Sequence, residues 1–338
     1  MCVSRWPRVI GWPCAMTDNQ TSPRERSRQI TSLCEQNVRA MTPAPGAPDW
    51  TPEMGRASKA LELMANGILF HELSHEELQT TCVALTSTLM TPGMSTMICA
   101  DHLWFWAWIG ELLCTHYVRN DDEGEREITE LLGVCVRVAL ADMSAGRLDW
   151  QTEQQLKHVL PTHWLQLRGR SHVILTYLAF PTLEGFLKLK CSTLVDLAGK
   201  VLKPFDVPGR DEGERRFYGP TKGSRDCSNV RDLLFLVYQE ARPALAGYLD
   251  RMRVQIERLV PAKHGFTTVF DWRNSSLHGK TTMPTIGGTI LNLAILIALD
   301  RMADRFEEFH RGALRRVERL QLHRGLGIPD DNRRFYPP

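Results

Sequence analysis

The sequence contains no Cys-x-x-Cys pair, and its cysteines number nine, an odd count. Several of them (Cys82, Cys99, Cys114, Cys135) fall inside apolar, helix-spaced runs. This pattern fits reduced, buried thiols in a cytoplasmic protein and argues against a disulfide framework. Charge of one sign is also missing. Lys and Arg total 41 against 39 Asp and Glu, for a net charge of +2. The molecule as a whole is therefore no polycation, and any nucleic-acid binding has to come from a local patch. A long uncharged apolar run is absent too: Met97 to Val118 comes nearest to a membrane span, but it carries Asp101, His102 and Glu111. Arg5, Pro7, Arg8 and Pro13 break up the apolar core that a secretory signal needs. Met16 opens a more ordinary polar start and is the expected initiator. Strand-like alternation is scarce throughout, and no cluster of carboxylates suggests a metal-dependent active site.

What is present is enough apolar material for a core, at 43% hydrophobic and 24% charged residues. With 338 residues the chain has room for two domains, or for one large domain with an appendage. Residues 17–50 are polar and end in a run of Pro, Ala and Gly, which reads as a flexible arm. Thr51-Pro52 opens a first helix that stops at Asn66-Gly67. Ser74-His75-Glu76-Glu77 is a capping box that starts a second. An aromatic-rich helix follows from about Ser95 to Tyr117, another from Glu125 to Met143, and a short one from Asp149 towards Leu160. Ser171 to Lys190 is amphipathic, with a kink or break expected at Pro181 and a continuation over Thr193 to Leu202. Residues 203–228 read as a long loop. Val230 to Val260 is helical and bent at Pro243. Thr289 to Arg319 reads as one helix whose first half is apolar nearly all round. Such a segment is either buried on all sides or forms a subunit interface. The fold class is all-α.

The segment with most chemical content is Asp271-Trp272-Arg273-Asn274-Ser275-Ser276-Leu277-His278-Gly279-Lys280. It sets a permanently charged guanidinium, suited to holding a phosphate, five positions before an imidazole able to move a proton near neutral pH. RNA brings its own nucleophile, the 2′-hydroxyl. Its cleavage then needs a base, an acid and positive charge on the developing phosphorane, and none of these requires a metal or cofactor. The spacing alone arises cheaply: Arg258/His264, Arg305/His310 and Arg316/His323 match it as well. Context singles out the first. Asn follows the Arg, Leu-His-Gly closes the motif, and Gly288-Thr289-x-x-Asn292 leads into the apolar helix. Five steps along a regular helix rotate by roughly 140°. Arg273 and His278 therefore share a cleft only if the helix breaks, the cleft is wide, or a second subunit completes it.

This arrangement resembles the HEPN superfamily, whose signature is Arg, often Asn, then four to six residues and His. Tyr177-Leu178-Ala179-Phe180-Pro181-Thr182-Leu183-Glu184-Gly185 is similar to the helix that precedes the motif in stand-alone bacterial members. The resemblance covers about residues 165–310. It implies a helical bundle that dimerises over a shared cleft and acts as a metal-independent endoribonuclease, in some members a toxin or antiphage effector controlled by a protein partner or antitoxin. On that basis Arg273, Asn274 and His278 would be catalytic, Ser275, Lys280 and Asn292 would contact substrate, and Glu184 would orient Arg273. The expected division is an arm over 1–50, an N-terminal helical domain over 51–164, a HEPN-like helical bundle over 165–325 and a tail over 326–338. The rival reading is a non-catalytic module that assembles through residues 290–299.

Three other signals compete. His71-Glu72-x-x-His75 has the form of a zinc-protease helix. However, Ser74 caps a helix between the two histidines, so they would straddle a helix start. Gly279-Lys280-Thr281 lacks the earlier glycine of a phosphate loop, with Asn274 in its place. Arg215, Arg216 and Lys222, together with the basic tail helix from Arg311 to Arg324, form either a track for RNA or solvated faces balanced by Glu307, Glu308 and Glu318.

Overall fold

Helix Pro284–Arg301 has no polar face, and among the described residues it packs against three other helices. The computed structural model describes residues 70–89, 100–114, 123–141, 158, 161–210, 213–221, 225–278, 284–325 and 335. Among these are ten α-helices and one two-stranded hairpin. In chain order they are α1 His75–Leu89, α2 Ala100–Cys114, α3 Glu123–Leu140, α4 Thr162–Gly169, α5 Ser171–Lys190, β1 Phe205–Pro208, β2 Arg215–Tyr218, α6 Val230–Glu240, α7 Pro243–Leu259, α8 Gly265–Leu277, α9 Pro284–Arg301 and α10 Phe306–Gly325. The protein is thus mostly helical. The expected arm and the first expected helix lie outside the described residues, as does nearly all of the short helix after Asp149.

Helix α9 packs chiefly against α5, and also against α1 and α7. Every residue from Ile290 to Leu299 is buried. Of the two fates open to an all-round apolar helix, this is burial within its own chain. Residues 290–299 therefore offer no free face for assembly, contrary to that part of the rival expectation. The C-terminal end of α9 is fastened to α5 by an ion pair of Lys190 with Asp300 and by Arg301 Nη1, which donates to the Leu189 carbonyl at 2.5 Å. Arg301 Nη2 reaches Glu125 on α3 at 2.8 Å.

One contiguous core runs from Phe70 to Phe335. Helix α3 packs on α5 and α1 packs on α9, so the expected boundary at 164/165 corresponds to no gap in this core. The aromatic helix α2 points Phe105, Trp106 and Trp108 into it. The capping box at the start of α1 forms as its residues dictate: the Ser74 N–H donates to Glu77 Oε2 at 2.8 Å, and the Glu77 N–H to Ser74 Oγ at 3.4 Å.

Four expectations are corrected. Helix α5 runs unbroken through Pro181. Pro181 and Tyr177, whose carbonyl would have received the missing N–H, are both exposed, so water can serve that carbonyl and the helix survives. Residues after Cys191 form a turn closed by a bridge between Val195 and Val201, not a helix. The presumed loop contains the antiparallel hairpin β1–β2, with Phe205 opposite Tyr218 and Pro208 opposite Arg215. Finally, the long terminal helix is two helices bent by 62° at a 3-10 turn, Ala303–Arg305. Among the described residues no single helix is long and apolar enough to cross a membrane.

Candidate functional site

The motif lies on α8, which packs against α7, α6 and α5. The start of α8 is fixed by close contact. A Cβ on Gly265 would lie 2.6 Å from the Arg253 carbonyl oxygen, so only glycine lets α8 begin this near α7. The Gly265 N–H donates to Glu257 Oε1 at 2.9 Å, and the Phe266 N–H to His264 Nδ1 at 3.2 Å. His264 is therefore the N-cap, using an unprotonated ring nitrogen. Burial lowers its pKa, a tendency that the carboxylate of Glu257 partly opposes.

From there the helix buries Phe266, Val269 and Ser276. Their spacing places Arg273 in the same stripe, at i+7 from Phe266 and i+4 from Val269. An arginine at a core-facing position has to find a carboxylate. Arg273 Nη2 lies 3.8 Å from Glu184 Oε2 on α5, with the arginine side chain 31% exposed. Glu184 is held from the other side by Lys188 Nζ at 2.8 Å, one helical turn further along α5. Arg273 Nη1 also points at Asn274 Oδ1, at a long 3.5 Å. Asp271 pairs instead with Lys263 at 2.7 Å.

The motif residues thus separate. Arg273, Asn274 and Glu184 come together. Lys188 joins them, and its i+4 spacing from Glu184 was a readable signal. Ser275 is half-buried on α8. His278 is the C-cap of α8, exposed, with its N–H on the Asn274 and Ser276 carbonyls. It stands about 7.5 Å further along the helix axis than Arg273, at about 1.5 Å per residue, and its ring makes no hydrogen bond or ion pair among the described residues. Lys280 lies outside the described residues.

The expectation for Asn292 needs correction. Asn292 is fully buried in α9. Its Oδ1 accepts from Trp106 Nε1 at 2.7 Å and its Nδ2 donates to Thr86 Oγ1 at 2.9 Å. Both ends of the amide are engaged in joining α9 to α2 and α1, with no surface where a substrate could meet them.

The competing signals find other uses. His75 Nε2 is 2.8 Å from the Leu299 carbonyl, and the His71 carbonyl is 2.8 Å from His310 Nε2. The two histidines flank a helix start, as the capping serine requires. No group of three or more His, Cys, Asp or Glu side chains is arranged to hold a metal ion among the described residues. His102 is buried with Nε2 2.9 Å from the Leu85 carbonyl. Among the basic groups, Arg215 pairs with Asp206, Arg216 with Asp232 and Arg316 with Glu111, while Lys222 lies outside the described residues. Burial pushes the Cys135 thiol up to about 11 and those of Cys191 and Cys227 to about 12, so none is a ready nucleophile.

A second arginine cluster, on α6 and the hairpin, was not legible in the sequence. Buried Arg231 donates to the carbonyls of Pro208 and Gly209, to Thr267 Oγ1 on α8 and to Asp232. Asp232, fully buried, also accepts from Arg216 at 2.8 Å and from the Tyr218 hydroxyl at 2.6 Å. Beside it, Arg210 lies over the Phe270 ring of α8. The hairpin is therefore fixed to α6 and α8, next to the motif. Comparison with protein-family models, with curated proteins and with solved structures finds no match for this chain.

Proposed function

We propose that the C-terminal half is a HEPN-like bundle and that the protein is a metal-independent endoribonuclease acting as a homodimer. One observation supports this above the others. Arg273 is half-exposed, oriented by a carboxylate that sits at 3.8 Å, and carries Asn274 beside it. A guanidinium in that condition keeps donors for a ligand phosphate. Arg273 takes the non-bridging phosphate oxygens and offsets the charge that builds there. Glu184, steadied by Lys188, fixes the direction of that guanidinium. The exposed imidazole of His278 removes the proton of the 2′-hydroxyl as it attacks phosphorus. The 5′ oxygen leaves and receives its proton from the His278 of a second copy, giving a 2′,3′-cyclic phosphate. Dimerisation resolves the rotation between Arg273 and His278 by letting each cleft draw on two helix ends.

The test is RNA incubated with the full chain in EDTA. Fragments ending in 2′,3′-cyclic phosphate are expected from the native chain and not from Arg273→Ala or His278→Ala. Cleavage that persists in both variants overturns the assignment. The ion network of Arg273, Glu184 and Lys188 would also suit a helical module without activity. Absence of cleavage across RNA substrates, together with loss of stability in Arg273→Ala, would favour that second reading.

A further inference from the structure

The C-terminal segment has one described residue, Phe335, and it sits in a made-to-fit slot. Its ring is buried in the cleft between α2 and α3, against two helical glycines. A Cβ on Gly110 would lie 2.7 Å from Phe335 Cδ1, and one on Gly133 would lie 3.5 Å from Cζ. Glycine inside a helix costs about 0.5–1 kcal/mol relative to alanine. Two of them, facing one another across neighbouring helices, leave space for a single aromatic ring. Arg137 covers that ring, with Cζ 4.2 Å from its centroid. The backbone N–H of Phe335 donates to Glu111 Oε2 at 3.1 Å. The other oxygen of this fully buried carboxylate is 2.6 Å from Arg316 Nε. The slot thus uses two groups of its guest, a phenyl ring and the N–H of the same residue.

The guest sequence occurs twice in the chain. Arg333-Arg334-Phe335-Tyr336-Pro337-Pro338 repeats the tetrapeptide of Arg215-Arg216-Phe217-Tyr218-Gly219-Pro220. In the hairpin copy, Arg215, Arg216 and Tyr218 are all bound to carboxylates of their own chain. Phe217 points away from the face of Arg216 and Tyr218 and is 72% exposed, the most exposed of the large apolar side chains described. Its N–H is also turned outward. Gly209 N–H donates to the opposed Glu214 carbonyl at 2.7 Å. Counting back in twos along the register, Asp206 and Phe217 form a pair that exchanges no ladder bonds. With only two strands in the sheet, the Phe217 N–H faces the open edge. The ring and the N–H that the slot requires are the two groups this hairpin leaves unused.

We infer that the Gly110–Gly133 slot is a recognition site for the phenylalanine of an Arg-Arg-Phe-Tyr sequence, filled in cis by Phe335 and, when Phe335 is displaced, by Phe217 of a second copy. Phe335 then acts as a plug that limits self-association through the hairpin. This does not depend on the ribonuclease reading.

The probe is the labelled hexapeptide Arg-Arg-Phe-Tyr-Gly-Pro, titrated into the full chain, with sedimentation velocity run in parallel. Phe335→Ala is expected to bind the peptide at least about tenfold more tightly than the native chain, since a buried aromatic anchor of this kind is worth that much. Adding Gly110→Val should remove the gain. Phe335→Ala should also self-associate with rising concentration, and Phe217→Ala in the same chain should abolish this. Equal peptide binding by the native chain and Phe335→Ala overturns the proposal, as does self-association that survives Phe217→Ala. If Phe335→Ala loses its helical circular dichroism, the native chain carrying p-benzoylphenylalanine at position 217 gives the answer. Photo-crosslinks to a second copy should map to residues 110–137 and be suppressed by excess Arg-Arg-Phe-Tyr-Pro-Pro. Absence of crosslinks at that slot overturns it.

Discussion

Arg231 and Arg273 stand on neighbouring helices, each beside a carboxylate, and the two are held in opposite ways. Arg231 is buried, with two backbone carbonyls, a threonine hydroxyl and Asp232 around it. Asp232 in turn is saturated by Arg216 and Tyr218. Arg273 is half-exposed, 3.8 Å from Glu184 and 3.5 Å from Asn274. A guanidinium has five donors in a rigid fork. Where the fold takes nearly all of them, the residue is a strut. Where the fold takes few, at long range and beside solvent, donors remain for a ligand. The difference teaches that an arginine is judged as a functional candidate by what the structure leaves unsatisfied, not by its motif.

The sharpest way to test that contrast is to remove the carboxylate from the saturated side. Asp232→Ala strands Arg231 in the core, so unfolding stability should fall by about 3–5 kcal/mol, read from urea denaturation. A loss under about 1 kcal/mol would mean that the network is no strut. On the open side the loss should appear in activity. Arg273→Ala is expected to lower RNA cleavage in chelator by about 10²–10³-fold, equivalent to about 2.7–4 kcal/mol of barrier, while costing less than about 1 kcal/mol of stability. If the variant is instead badly destabilised, Arg273 belongs with Arg231. A third variant extends the saturated side to a neutral group: Asn292→Ala leaves the buried Trp106 N–H without its acceptor and should cost about 1–3 kcal/mol, with cleavage at the motif retained in the folded fraction.

The smallest effect expected concerns the N-cap that sets α8 in place. The ordinary pKa of His is about 6.5, and burial lowers that of His264 in the folded protein. A depressed folded pKa means that the unfolded chain takes up the proton first. Its contribution to stability is complete above about pH 6.5, is lost as pH falls below that value, and levels off once the folded form is protonated too. His264→Asn keeps a capping oxygen without titrating. It should flatten the fall in unfolding free energy, read from urea denaturation, between neutral and mildly acidic pH by less than about 1 kcal/mol. An unchanged pH slope would show that His264 Nδ1 is not the cap acceptor.

Much of the fold could be read from the chain because its signals are local. Ser74 and Glu77 are three residues apart and form their box whatever lies around them. The apolar run of α9 announced either burial or a subunit interface before any partner was known, and the fold decided for burial. Misreadings came where a break depended on surroundings. Pro181 was expected to kink or break α5, but the carbonyl it leaves open belongs to Tyr177, an exposed residue, where water can serve it. Met302 carries no breaking signal, yet the chain turns there by 62° because α10 has to reach α2. The hairpin went unseen because its strands are four residues each and are fixed from outside by Arg231.

At the candidate site, the sequence by itself determined which groups could do chemistry: a guanidinium, an amide and an imidazole on one short helix, with an acid on α5. Only the tertiary structure decided that Glu184 reaches Arg273, that Asn292 serves Trp106 across 186 positions, and that Phe335 occupies a gap left by two glycines. The physical reason is range. Capping, periodicity and i+4 pairing act within about one helical turn and can be read from spacing alone. Which donors stay unsatisfied depends on partners brought together from distant parts of the chain, and that is settled only when the core closes.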